Sequence, residues 1–214
     1  MGLFDKLKSQ ATNALGQTTK STVNQASKAA GQTVSNIVKG GNKSVQVVFK
    51  SMPETLDEFT ALPQAAMSTP FDTAALCVAA LCVYPLSKDI TAEMLNYLRG
   101  PKPLGTPDIR FLSDRMSQNN KAGYLGASYL DGATAKNDYT PTEPYTVTVS
   151  ENPYSYANEG YATLYIRSGG ADSPRPITLR QAKDGKWYLW EYPGLLSDIL
   201  SPESSNPWAT RGFI

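Results

Sequence analysis

An apolar run at residues 74–84 constrains the fold more than any other part of this 214-residue sequence. Thr69, Pro70 and Asp72 stand before it in an order typical of a helix N-cap with proline in the first turn, and Pro85 follows it. A helix that is apolar on nearly every side is buried in a globular domain. We therefore expect this helix at the centre of the fold. The run is shorter than the ~20 residues that cross a bilayer.

Helical patterns precede strand patterns along the chain. Further short helices are predicted within residues 53–61, within residues 91–99 and after Thr106, where Ile109, Leu112 and Met116 form the inward stripe. Antiparallel strands are predicted at residues 145–150, 161–168 and 176–192, the last folded on a turn at Asp184-Gly185. Side chains should alternate between the two faces, with Ala162, Leu164 and Ile166 on one face of the second strand and Tyr188, Trp190 and Tyr192 on one face of the last. Helices followed by strands, without alternation, favour an α+β fold. We expect N-terminal helices packed on a C-terminal antiparallel β-meander.

The first 50 residues differ from the rest in net charge and in the spacing of their apolar residues. They carry a net charge of +6 and residues 51–214 a net charge of −5. Apolar residues recur three to four positions apart, which predicts an amphipathic helical or disordered arm before the domain. Gly40-Gly41 ends this stripe of apolar residues, and residues 42–50 are expected to connect the arm to the domain. The α+β domain is expected at residues 51–200, and a polar tail follows at residues 201–214. The stripe includes Phe4, Leu7, Leu15, Val34 and Ile37.

Three roles for the arm remain open. It is a solubilising extension, a helix that lies on a membrane surface, or a segment that docks on a partner or a second copy. Its lysines are spread over 50 residues without an arginine, which argues against nucleic-acid recognition. We expect a cytoplasmic protein, with peripheral contact at the inner face of the membrane as one alternative.

The sequence contains no histidine, which excludes Ser-His-Asp and Cys-His catalysis and every histidine metal site. Cys77 and Cys82 are five residues apart inside the apolar helix, where they are expected to be free core residues. We expect no catalytic residue, no metal and no cofactor.

Aromatic residues are concentrated in the strand region. Ten of the 21 lie between Tyr139 and Tyr192. One interpretation is that cross-strand aromatic pairs stabilise a sheet face. The other is a platform for a peptide, a glycan or a partner protein. The candidate platform residues are Tyr161, Tyr165, Tyr188, Trp190 and Tyr192.

Several segments carry a family resemblance. They are STPFDTAAL at 68–76, EMLNYLRGP at 93–101, YTPTEPYTVTVSENPYSY at 139–156, GYATLYI at 160–166, GADSPRPITLR at 170–180 and GKWYLWEY at 185–192. Together they cover most of residues 52–200, and this body resembles a family of bacterial proteins classed as a domain of unknown function. The resemblance implies no activity, cofactor or catalytic residue.

The resulting hypothesis is a non-enzymatic binding or interaction module that presents an aromatic sheet to a protein or peptide partner. The alternative is an enzyme with a histidine-free acidic active site. A shallow aromatic groove would favour binding, and a pocket with two acids of shifted pKa would favour the enzyme.

Overall fold

A computed structural model of the protein describes residues 35–39, 42–206 and 208. Two strands come first, β1 (Ser35–Lys39) and β2 (Asn42–Phe49). Four helices follow: α1 (Leu56–Ala61), α2 (Pro70–Val83), α3 (Lys88–Arg99) and α4 (Thr106–Ser117). The last four strands are β3 (Tyr145–Ser150), β4 (Tyr161–Ile166), β5 (Arg175–Gln181) and β6 (Trp187–Glu191).

The six strands form one antiparallel sheet in the order of the chain. Helix α2 lies across its inner face and contacts β2 through β6. Twelve of its fourteen residues are buried. The hydroxyl oxygen of Thr69 accepts the N–H of Asp72, as the N-cap pattern predicts. The predicted α+β fold, with the apolar helix at its centre, is confirmed.

The alternation in the C-terminal strands also agrees with the prediction. Ala162, Leu164 and Ile166 of β4 are fully buried against the helical layer, and the residues between them are partly exposed. Strands β5 and β6 form a hairpin around the predicted turn at Asp184-Gly185. In α4, Leu112 and Met116 are buried, but Ile109 is 47% exposed because the first turn of that helix lies outside the core.

The segment before residue 51 differs from the prediction. Residues 42–49, expected as a connection, form strand β2, and Val45, Val47 and Phe49 enter the core. Residues 45–49 read Val-Gln-Val-Val-Phe, and every second residue is buried. Such β-branched and aromatic residues are typical of strands, which explains the difference. Ile37, assigned to the helical stripe, lies in strand β1. The other four stripe residues lie outside the described residues: Phe4, Leu7, Leu15 and Val34.

The described helices are short compared with the ~20 residues that cross a bilayer. The longest described helix, α2, has 14 residues. Within residues 35–39, 42–206 and 208, no helix is both long enough and apolar enough to cross a bilayer.

Candidate functional site

The site begins where α3 ends. Gly100 terminates the helix with a φ of 56°, a conformation that favours glycine. A Cβ at this position would overlap the ring of Tyr188, so the missing side chain lets α3 and β6 approach each other. The Nε of Arg99 then donates to the carbonyl oxygen of Lys102 at 2.9 Å. These contacts hold the turn at residues 100–102 beside β6.

Lys102 and Arg180 both lie over aromatic rings. The Nζ of Lys102 is 4.6 Å from the centre of the Trp190 ring. The guanidinium carbon of Arg180 is 5.0 Å from the centre of that ring and 5.4 Å from the centre of the Tyr161 ring. The two rings are 5.7 Å apart and nearly perpendicular. Each such cation–ring contact at an exposed site contributes about 0.5–1 kcal/mol.

Strand register explains how these side chains meet. Arg180 of β5 stands opposite Tyr161 of β4 on one side and Tyr188 of β6 on the other. All three alternate with buried residues of their strands, so they share the outer face of the sheet. The arginine thus bridges aromatic residues of its two neighbouring strands.

A groove with a volume of about 420 Å³ lies between the turn after α3 and the β5–β6 hairpin. We call it the Trp190 groove. Among the residues that the structure describes, no carboxylate lines it. Its lining consists of Arg99, Pro101, Lys102, Arg180, Gln181, Ala182, Lys183, Tyr188, Leu189 and Trp190.

Asp184, one of the two carboxylates adjacent in sequence to this lining, already has hydrogen-bond donors. Asp184 accepts the hydroxyl of Tyr188 at 3.0 Å and the backbone N–H of Lys186 at 3.0 Å. The backbone hydrogen bond from Lys186 is the main reason that the pKa of Asp184 lies below its ordinary value. The turn carboxylate is therefore ionised and serves to position Tyr188.

A second groove, of about 290 Å³, shares Trp190, Arg99 and Lys102 with the first. Its lining also includes two acids, Asp108 and Glu191. Trp190 therefore stands between a groove whose charged lining residues are all cations and a groove of mixed charge.

The structure brings together three of the five predicted platform residues: Tyr161, Tyr188 and Trp190. Tyr165 lies four residues from Tyr161 along β4, about 13 Å away, opposite Pro176. Tyr192 follows the end of β6 and is only 5% exposed, so it belongs to the core. Burial raises its pKa.

Arg180 and Lys102 were not among the predicted site residues. Arg180 alternates with Ile177 and Leu179 in β5, so its position on the outer face was available from the sequence. The placement of Lys102 depends on packing between α3 and β6, which no local pattern indicates.

The two cysteines are unpaired, as expected. Burial raises the pKa of the Cys77 thiol, and it raises that of Cys82 to about 12. Because the thiolate is the reactive form, both residues act as apolar core groups.

The sequence profile of one family, described as Domain of unknown function (DUF6935), matches residues 51–203. This range includes the whole lining of the Trp190 groove. The searches of curated proteins and of solved structures returned no match. The profile covers more than half of the residues of the chain, and the chain therefore belongs to the family of the domain of unknown function DUF6935.

Proposed function

We propose that the protein is a non-enzymatic binding module whose Trp190 groove receives a peptide segment of a partner protein. The observation that carries the proposal is the assembly of Trp190, Arg180 and Lys102 at an open groove. Tryptophan, tyrosine and arginine are the residues that most often dominate the energy of protein interfaces. The groove volume falls within the range of about 300–1,000 Å³ that is typical of ligand sites.

The rings are also held in place before any partner arrives. Trp190 contacts Tyr161, Arg180 and Lys102, and the hydroxyl of Tyr188 bonds to Asp184. Binding a partner to side chains that are already ordered costs less conformational entropy. The chemistry at the groove also favours binding over catalysis, because its lining combines cations and rings without a carboxylate pair in the described residues.

Peptide display against the full chain tests this function. A library of random peptides is selected on the wild-type protein, and the enriched peptides are then tested on Trp190→Ala and on Tyr154→Ala. Tyr154 is 79% exposed and lies outside the groove, so its variant is the matched aromatic control. We expect Trp190→Ala to weaken binding at least tenfold and Tyr154→Ala to leave it unchanged. No enrichment on the wild type, or equal binding by both variants, would reject the function.

For the arm, we propose peripheral contact with an anionic membrane surface. The support is the spacing of Phe4, Leu7 and Leu15 together with the net charge of +6 in residues 1–50. Substitution of Leu7 and Leu15 by Glu should abolish co-sedimentation of the full chain with anionic vesicles. The control places Glu at Ser9 and Asn13, on the opposite side of the same helical wheel. Equal sedimentation of both variants would contradict the proposal.

A further inference from the structure

The charge of the Trp190 groove is opposite to that of the polypeptide around it. Four cationic side chains line the groove: Arg99, Lys102, Arg180 and Lys183. Residues 51–214, from which all of them come, carry a net charge of −5. We infer that the Trp190 groove selects a short acidic peptide segment of another protein, bound mainly by Arg180, Lys102 and Lys183. This inference rests on the binding function proposed above.

The four cations have different roles. Arg99 donates to the backbone carbonyls of Lys102 and Trp190, so it positions the groove. Lys102, Arg180 and Lys183 are exposed. Within the described residues, no hydrogen bond from these three side chains is present. A guanidinium has five N–H donors and an ammonium has three, and contact with a ring does not engage all of them, so donors stay available to a carboxylate.

At the start of strand β6, which is the last strand of the sheet, the outward backbone groups of Trp187 already have partners. The N–H of Trp187 donates to the carbonyl of Met67 at 2.9 Å. The hydroxyl of Thr73 in α2 donates to the carbonyl of Trp187 at 2.6 Å. A peptide therefore cannot add a strand along the whole of this edge, which favours recognition through side chains. Charged peptide side chains then decide the affinity.

The second groove limits the length of the acidic segment. A ligand that extends past Trp190 meets Asp108 and Glu191. A nucleic-acid strand carries phosphate charges along its whole length and would be repelled there and by the net negative charge of the domain. A short run of Glu or Asp pairs with the cations and ends before these carboxylates.

The two segments that flank the described fold differ in charge from the proposed ligand. Residues 1–34 contain one acid, Asp5, and four lysines, and residues 207–214 contain no acid. Neither of these two segments complements a groove lined by cations, which favours another protein as the source of the acidic segment.

Fluorescence anisotropy on the full chain tests the inference. The probe is a labelled peptide of about twelve residues, built from Ser and Leu with three neighbouring Glu at its centre, and its control replaces each Glu by Gln. We expect the Glu peptide to bind at least tenfold more tightly than the Gln peptide. The groove variant Lys102→Gln, Arg180→Gln, Lys183→Gln should lose that difference.

A second triple variant has the same loss of charge: Lys50→Gln, Arg110→Gln, Lys136→Gln. These three residues are exposed and lie outside the groove lining, so binding should change by less than about twofold. An equal loss in both triple variants would overturn the inference, because attraction would then be general. Tighter binding of a thymidine dodecamer than of the Glu peptide would also overturn it. So would self-association that only the groove variant abolishes, because the occupant would then be a second copy.

The display selection separates the two proposals. Enriched peptides without an excess of acidic residues, or equal affinity for the Glu and Gln peptides, would reject the acidic preference and leave the binding function standing. Enriched acidic peptides that require Trp190 would support both.

Discussion

The two faces of strands β4–β6 differ in what holds their side chains in place. The inner face buries Leu164, Leu179 and Leu189 under helix α2, and its stability comes from apolar area removed from water. The outer face orders Tyr161 and Trp190 around Arg180 through directional contacts between charges and rings. The same period-two alternation therefore produces a core on one side and a candidate binding surface on the other. Substitutions on the inner face should lower stability, and those on the outer face should mainly alter recognition.

Leu164→Ala should give the largest effect. The side chain is fully buried beneath the helical layer, so its truncation leaves a cavity and should lower the free energy of unfolding by about 2–5 kcal/mol. Urea titration followed by circular dichroism measures the change. The control is Thr163→Ala on the outer face of the same strand, where we expect a change within about 0.5 kcal/mol. Similar losses at the two positions would remove the distinction between the faces.

Gly100→Ala should give the next largest effect, because it acts where α3 meets the outer face. The positive φ and the overlap with the Tyr188 ring should lower the free energy of unfolding by about 1–3 kcal/mol. Displacement of Tyr188 should also weaken peptide binding, which the anisotropy assay measures. Gly160→Ala is the matched control, since it has a φ of 74° but no atom within 4 Å of its added Cβ. Binding that both variants weaken equally would show that this packing does not shape the groove.

A double-mutant cycle measures the coupling on the outer face itself. Tyr161→Leu and Trp190→Leu, alone and together, should show a coupling energy of about 0.5–1.5 kcal/mol in chemical unfolding. Repeating the cycle with Arg180→Gln should lower the coupling, because the guanidinium lies over both rings. A coupling near zero would show that the rings are merely adjacent, and a coupling unchanged without Arg180 would exclude it as a bridge.

The sequence alone was enough to predict the inner face and part of the outer one. A regular apolar alternation requires only that one side of a strand be buried, so Ala162, Leu164 and Ile166 were placed correctly. Strand β2 was missed because Gly40-Gly41 before it indicated a connection, and because the apolar Val48 interrupts the alternation between Val47 and Phe49. The success in β4 and the failure in β2 both depended on the pattern of a few neighbouring residues.

The remainder of the site depends on where the strands end and on what packs against them. Tyr192 was assigned to the platform by extending the alternation, but β6 ends at Glu191 and the chain turns into a 3-10 helix at Pro193–Leu196. Lys102 reaches Trp190 only because Gly100 lets α3 approach β6. Contacts between distant segments of this kind leave no period in the sequence.

The smallest expected effect concerns two carboxylates at opposite ends of the outer face. Asp131 is bonded to Thr148 of β3, and burial raises its pKa above the ordinary value of about 3.9. The folded state therefore holds this proton more tightly than the unfolded state, so the associated stability is present below pH ~3.9 and is lost as the pH rises through the folded-state pKa. Asp184 has a lowered pKa, and its stabilising contribution is lost as the pH falls.

Urea unfolding at a series of pH values, for the wild type, Asp131→Asn and Asp184→Asn, measures the two effects. Relative to Asp131→Asn, the wild type should lose stability as the pH rises from 3, and relative to Asp184→Asn it should gain stability over the same range. The signs differ because Asp131 is desolvated beside the β2–β3 part of the sheet, whereas Asp184 receives a backbone N–H and the Tyr188 hydroxyl at the exposed hairpin turn. If stability relative to the two variants changed with pH in the same direction, the two ends of the outer face would not differ in solvation. The positions of the cations alone would then distinguish the Trp190 groove.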